Sequence, residues 1–498
     1  MPIPVLTNAE LRPIEARFAS ASPPLMERAG RATAQAARQL ATDTGARILV
    51  VAGPGNNGGD AWVAAAHLLE SFHKVVVLDA TGAAPKAAEA RAAKDTFTAR
   101  RGEVVREWPA GPAPALILDG LLGIGLARDV EAPFAALIER MNASPAPILA
   151  IDVPSGLESE TGHVRGAAVR AKHTLTLLAH KVGLHTADGP DHCGAIELDD
   201  LGAGDAVLAA ARGALLTPRD VAPWLAPRRR NAHKGDFGTL GIVGGNRGMV
   251  GAALLAGRSA LLAGAGKVYL GLLAADAPAA DLLHPELMLR PVDDAILAQV
   301  LVMGPGAGQS PSATSVSMFE RVLLPGAIAS TKALVLDADA LNAIAFSDTL
   351  RAALPKRNAP TIVTPHPAEA ARLLGRTTAE VQSDRLAAAL ELARDFNSHV
   401  VLKGVGSLCA SPDARWAVNT TGNPGLASGG TGDVLAGLIG ALLCQGLEAG
   451  RALRYAVCLH GAAADTLVAR GKGPVGLTAS EIALEARRLM NLWTAHNP

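Results

Sequence analysis

Ile48-Leu49-Val50-Val51-Ala52-Gly53-Pro54-Gly55-Asn56-Asn57-Gly58-Gly59-Asp60 reads as a short apolar strand, a glycine-rich loop and the approach to a helix. An unbroken apolar run bounded by glycine suits a strand buried on both faces. The apolar residues beyond Asp60 predict a helix over 61–70. Strand, glycine loop, helix is the first unit of a parallel α/β sheet, whose ligands bind beyond the carboxyl ends of the strands.

The same grammar extends outward. Helices are expected over 25–40 and 85–100, and strands over 75–78, 115–119, 148–152, 174–178 and 195–198. Two of these strands end in Asp119 and Asp152, the second followed by Val153-Pro154-Ser155-Gly156. Residues 215–234 change character, with Pro218, Pro223, Pro227 and Arg228-Arg229-Arg230 and little periodicity. A domain boundary is expected there, separating 1–217 from 218–498. A second alternation follows. It has strands at 239–245, 267–273, 300–303, 333–336, 361–363 and 400–402, and helices at 251–262, 379–396, 434–443, 449–468 and 480–492. The fold class is α/β, with two domains, the first a Rossmann-like three-layer sandwich.

Composition narrows the function. At 498 residues and about 150 per domain, two or three domains are expected. Lys+Arg and Asp+Glu both total 46, so no basic excess points to nucleic acid. The arginine triplet reads as a solvated junction. Aromatics are 3%, too few for a base-stacking platform. Cys193, Cys409, Cys444 and Cys458 lack zinc spacing and suit a reducing cytosol. No secretory signal is evident at the N-terminus, and the longest apolar run, 434–444, is too short to span a bilayer. The expectation is a cytoplasmic protein with neither membrane nor nucleic-acid partners.

In the first half, Asn56, Asn57 and Asp60 offer hard oxygen ligands for K⁺, Mg²⁺ or Ca²⁺. Asp119 and Ser155, at other strand ends, can converge on the same ion. Asp152 is a carboxylate able to act as base or acid. Gly123-Ile124-Gly125-Leu126-Ala127-Arg128-Asp129 can embrace a pyrophosphate, with Arg128 as counter-charge. GxGxxG also fits residues 53–58, a weak signal alone. The plainer alternative is that each residue caps a helix or shapes a turn.

The second half is organised around Asn423-Pro424-Gly425-Leu426-Ala427-Ser428-Gly429-Gly430-Thr431-Gly432-Asp433. A glycine-rich turn feeding a helix start leaves backbone N–H groups pointing outward and places the positive end of the helix dipole there. Asp433 beside this anion cradle makes sense as a base for a hydroxyl that attacks a phosphoryl group. The alternative is a turn that only packs a helix closely. Four further stretches follow strands or open a helix: Gly248-Met249-Val250-Gly251-Ala252, Gly304-Pro305-Gly306-Ala307-Gly308, Asp337-Ala338-Asp339 and Thr364-Pro365-His366-Pro367-Ala368-Glu369. Lys403-Gly404-Val405-Gly406-Ser407 supplies a cation and backbone donors for a nucleotide. His366 alone also suits a cap, and Lys403 alone a surface position.

Together, Asn56-Asn57-Gly58-Gly59-Asp60, Asp119 to Gly125 and Asp152-Val153-Pro154-Ser155-Gly156 resemble the NAD(P)H-hydrate epimerases over residues 10–215. The segments around Gly306, His366, Lys403 and Asp433 resemble the ribokinase-like, ADP-dependent NAD(P)H-hydrate dehydratases over 225–495. The first resemblance implies K⁺ held by Asn57, Asp119 and Ser155. It implies substrate contacts from Asn56 to Asp60, from Gly123 to Asp129 and from Asp152. The second implies ADP held by Lys403 to Ser407 and Gly432, with Mg²⁺, and a hydrate pocket lined by Ala252, Gly306, His366 and Asp433. The implied activity is repair of NADHX and NADPHX, nicotinamide hydrates with water at C6. One domain would epimerise the R and S forms. The other would dehydrate the S form, converting ADP to AMP and phosphate. A homo-oligomer is expected. Ala61 stands where the epimerases usually carry glycine, and Ser407 and Ser428 where threonine is common in the dehydratases. A rival reading is a ribokinase-like small-molecule kinase fused to a non-catalytic nucleotide-binding domain.

Overall fold

The computed structural model describes residues 3–82, 84, 85, 87–308 and 317–495. Two compact units divide the chain, Ile3–Ala214 and Leu215–Pro498.

The first unit is built on a seven-stranded, wholly parallel sheet. Its order is Glu103–Val105, Lys74–Asp79, Arg47–Ala52, Leu116–Gly120, Ile148–Ile151, His173–Leu177, Ala195–Asp199. The earliest strand of this sheet, Arg47–Ala52, therefore has the second on one side and the fourth on the other. That reversal opens a crevice at the carboxyl ends, where doubly wound sheets bind ligands. Val51 pairs with Asp119 across it.

The helix after the opening strand spans Asn56–Glu70, not 61–70. The two glycines misled the reading, because glycine inside a helix costs about 1 kcal/mol against alanine. Close packing requires them here: a Cβ on Gly58 would lie 1.9 Å from the Gly53 carbonyl oxygen. The Asn-rich segment is thus the first turn of a helix, and Gly55 is its N-cap. Ala61 is fully buried, and a Cβ on Gly120 would come within 2.5 Å of its methyl. The extra carbon packs on the sheet and does not narrow the crevice.

In the second unit six adjacent parallel strands run Met288–Leu289, Lys267–Leu272, Thr239–Gly244, Val300–Met303, Ala333–Leu336, Thr361–Val363 and continue parallel into His399–Leu402. An antiparallel pair, Leu408–Ala410 and Trp416–Asn419, extends that edge. Helices Val250–Leu262, Thr431–Cys444 and Ala449–Ala469 pack around a core that includes Leu240, Ile242, Leu438 and Leu459. The helix expected over 379–396 is two, Thr378–Ser383 and Arg385–Asp395. Asp384 breaks it, accepting from the Ala387 amide at 2.9 Å, a local bond that competes with helix continuation. Among the described residues no helix is long and apolar enough to cross a membrane.

Candidate functional site

In the first unit, Asn57, Asp119 and Ser155 meet although they come from three different strand ends. The Ser155 amide donates to Asp119 Oδ2 at 2.8 Å and its hydroxyl to Oδ1 at 2.6 Å. Asn57 Nδ2 donates to the Leu122 carbonyl at 2.7 Å. Its Oδ1 is buried with no hydrogen-bond partner. An orphaned buried carbonyl oxygen is costly. The Leu122 carbonyl that Asn57 contacts also lies 3.1 Å from the Ser155 hydroxyl, which links Asn57 to the buried Asp119–Ser155 pair. Burial pushes the Asp119 carboxyl up to about 6, against the bonds from Ser155 and Leu121 that favour its anion.

Asp152 lies past the next strand in left-handed backbone, φ 65°, a conformation a non-glycine residue rarely adopts. Its carboxylate accepts from the Leu177 amide at 3.0 Å and is ion-paired to Lys181. Asp60 and Glu15 feel the same charge. Burial raises both carboxyls, Asp60 well above its ordinary value, and Asp152 raises each further. The loop from Gly123 to Asp129 is tied down at Ile124, whose carbonyl accepts from Asn8 Nδ2 at 3.5 Å, while Arg128 and Asp129 are exposed. Sequence reasoning missed Glu15 and Lys181. The signal for Lys181 was there: it is a lone charge in the apolar run 174–184.

The second site gathers at the carboxyl ends of five adjacent parallel strands. Gly306 and Ala252 touch: a Cβ on Gly306, which sits at φ 60°, would lie 3.0 Å from the Ala252 methyl. His366 caps helix Pro367–Leu374, its Nδ1 accepting from the Ala368 amide at 3.1 Å. The cap leaves the ring half-exposed, at 47%, with Nε2 3.4 Å from the buried Glu369 Oε1. Burial, with Lys403 and Arg372 nearby, holds the imidazole below its usual value and hence neutral.

Lys403, expected to supply a cation to a nucleotide, already has carboxylate partners. Its Nζ is 3.1 Å from Asp337 Oδ1 and 3.9 Å from Glu369 Oε2. Asp337, which also accepts from Thr364 Oγ1 at 2.6 Å, is buried. Burial alone would lower the ammonium, but these carboxylates outweigh it and raise it. A Cβ on Gly432 would come within 3.4 Å of the same Nζ. Lys403 therefore links the carboxylates to the helix start. Buried Arg385 shapes the loop that follows, donating to the carbonyls of Leu402 and Lys403 at 3.3 Å and of Val405.

Asp433 is the third residue of helix Thr431–Cys444. Its carboxyl is pushed up to about 7, by burial first and then by Asp337, Asp339 and Glu369, with Lys403 opposing. Asp433 thus lies in the first turn of that helix, the end that carries the positive pole of the helix dipole. His460 escaped the sequence reading. It is buried on helix Ala449–Ala469 with Nε2 unpartnered and lowered by burial to about 4.

Two family models match the chain: "YjeF-related protein N-terminus" over residues 22–183 and "NAD(P)H-hydrate dehydratase" over 240–487. A bifunctional NAD(P)H-hydrate repair enzyme of Escherichia coli K12 is 39% identical over 481 residues, covering 94% of this chain and 89% of that one. The chain belongs to the bifunctional NAD(P)H-hydrate repair enzymes. A member from Coxiella burnetii is 38% identical over 89% of this chain and 90% of its own. An ADP/ATP-dependent NAD(P)H-hydrate dehydratase from Bacillus subtilis, co-crystallised with ATP/Mg²⁺, is 31% identical. It covers 56% of this chain and 98% of its own, at a TM-score of 0.48. The two family models fall one in each unit, the first within Ile3–Ala214 and the second within Leu215–Pro498.

Proposed function

We propose that residues 1–217 form an epimerase domain and 218–498 an ADP-dependent dehydratase domain, which together return both hydrate epimers of NADH and NADPH to the reduced dinucleotide. What carries this reading is the placement of Asp433, a half-buried carboxyl pushed up to about 7, in the first turn of helix Thr431–Cys444.

In the dehydratase, Lys403 to Ser407 and Gly432 hold ADP. Ala252, Gly306 and His366 shape the hydrate pocket. Asp433 takes the proton of the C6 hydroxyl as its oxygen attacks the terminal phosphorus of ADP, and AMP leaves. Phosphate then departs from C6, pushed by the ring nitrogen lone pair, and loss of a C5 proton restores the dihydropyridine. Among the described residues no group of three or more His, Cys, Asp or Glu is disposed to hold a metal. Mg²⁺ thus fits as an ion carried in on the nucleotide phosphates, where it would neutralise their charge.

In the epimerase, Asn56 to Asp60 and the loop Gly123 to Asp129 contact the hydrate, and Asp152 exchanges the proton of its C6 hydroxyl. Asn57, Asp119 and Ser155 fit K⁺, since the orphaned Asn57 Oδ1 adjoins an acceptor-rich pocket. Bound there, K⁺ would supply positive charge close to the dinucleotide. Asp119→Ala is expected to abolish K⁺-stimulated epimerisation while leaving dehydration of pure S hydrate unchanged. Loss of both activities together would count against separate sites. The cytoplasm suits the four free cysteines, and we expect a homo-oligomer with no nucleic-acid partner.

The reading is tested by adding purified protein and ADP to a chemically prepared mixture of hydrates. The near-ultraviolet absorbance of reduced nicotinamide should return in full, with AMP and phosphate formed in equal amounts. A stable phosphorylated product would mark a kinase instead.

A further inference from the structure

Lys181 is almost wholly buried, at 2% side-chain exposure. A lysine that deep requires partners for its charge and for all three of its protons. It has them. Nζ donates to Asp152 Oδ1, to Thr176 Oγ1 at 3.1 Å and to the Leu177 carbonyl at 2.7 Å. No proton is left to reach a substrate. Asp152 is held as firmly. Its amide donates to the Leu175 carbonyl at 2.8 Å, and its carboxylate accepts from the Leu177 amide at 3.0 Å and the Thr176 hydroxyl at 3.3 Å. The segment 175–181 therefore surrounds one carboxylate with an amide, a hydroxyl and a fixed ammonium.

The charges around this pair are mostly negative. Helix Asn8–Arg17 contributes Glu15, with Arg12 beside it, and helix Asn56–Glu70 contributes Asp60. The remaining neighbours, His180 and His185, are hydrogen-bonded to each other, Nδ1 to Nε2, at 3.0 Å. Burial holds them at about 3 and about 4, so both are neutral near pH 7. Lys181 is accordingly the buried cation set among these carboxyls. Asp152 is bonded to it, and Asp60 is not among its hydrogen-bond partners.

We propose that Lys181 is a positioning residue for epimerisation: through its direct contact and the Thr176 hydroxyl they share, it holds the Asp152 carboxylate in place as the base, and Asp60 serves as the acid. This rests on the reading of the first unit as an epimerase. The division supplies an acid and a base from two like groups. Asp152 accepts the C6 hydroxyl proton, and Asp60 delivers its own to the ring nitrogen as the C6–N1 bond breaks. The product is an open-chain aldehyde. Rotation about C5–C6 and closure on the other face return both protons, so nothing is consumed.

The experiment is a pH profile of R-hydrate consumption by the full chain, with dehydration of pure S hydrate as an internal control. If the wild-type chain leaves the R form untouched beyond spontaneous exchange, the epimerase reading itself fails. Given an active wild type, Lys181→Met should move the acid limb upward by about 1–3 pH units, the usual effect of an adjacent cation on a carboxylate. S-hydrate dehydration should not change. A slower enzyme whose acid limb stays at the wild-type pH would overturn the proposal, because a packing role alone lowers the rate without moving the limb. Should Lys181→Met fail to fold, Thr176→Val removes one contact from each partner. It should shift the limb the same way by less, and no shift there also overturns the proposal.

Discussion

Replacing Asp433 with Asn is expected to slow dehydration of the S hydrate by about 10²–10⁴-fold, the usual loss with a general base, while ADP binds as before. The substitution keeps the shape of the side chain and the amide pattern of the helix start, so the nucleotide cradle survives. What disappears is the acceptor for the hydroxyl proton. The pH dependence makes the test sharper. With the Asp433 carboxyl raised to about 7 by burial and by Asp337, Asp339 and Glu369, the reactive anion is lost as pH falls through neutrality. The wild-type rate should therefore rise with pH through an acid limb near that value. The Asn variant should show a low rate without that limb. Single-turnover dehydration across pH, with ADP affinity from calorimetry, separates the outcomes. Wild-type turnover in Asp433→Asn would remove the base role. Weakened ADP binding with an unchanged limb would assign Asp433 to the nucleotide instead.

Why Asp433 was legible in the sequence and Lys181 was not has a physical reason. Asp433 is local: the glycines, the helix start and the carboxylate are contiguous, so short-range chemistry describes the site. Asn57, Asp119 and Ser155 lie on separate segments. Their approach was expected because parallel α/β sheets bring carboxyl ends of strands together, and each residue lies in or after such an end. The alternation of elements followed from apolar runs and their lengths. The boundaries misread were those where packing overrides local preference. Glycines inside helix Asn56–Glu70 are needed for contact with Gly53, and Asp384 splits a continuous apolar pattern through one side-chain cap. Lys181 and His460 are buried, and Glu15, though exposed, meets charges distant in sequence. Lys403 was singled out as a cation for a nucleotide, but its carboxylate partners were not foreseen. Its pairing with Asp337 across two strands depends on the register of the second sheet.

Separate fragments should divide the two activities. Each compact unit exceeds the size, roughly 100–150 residues, at which one core sustains itself, and each has its own run of parallel strands and buried cluster. The proposed cation and epimerase residues lie within Ile3–Ala214. The proposed ADP and phosphoryl-transfer residues lie within Leu215–Pro498. The second fragment should begin at Leu215. The Leu216 carbonyl accepts from the Thr420 amide at 3.3 Å and its hydroxyl at 3.0 Å, so a later start would strip both bonds from the loop before the glycine-rich turn. That fragment alone should consume the S hydrate at the full-length rate and leave the R form to its slow spontaneous exchange. Adding the fragment that ends at Ala214 should restore clearance of the whole mixture, because the S hydrate it generates diffuses freely between enzymes. Chiral separation of the remaining hydrates over time reads this directly. If both fragments are folded by circular dichroism and the mixture still cannot clear the R form, the epimerase requires the intact chain and the assignment of one complete site to each unit fails.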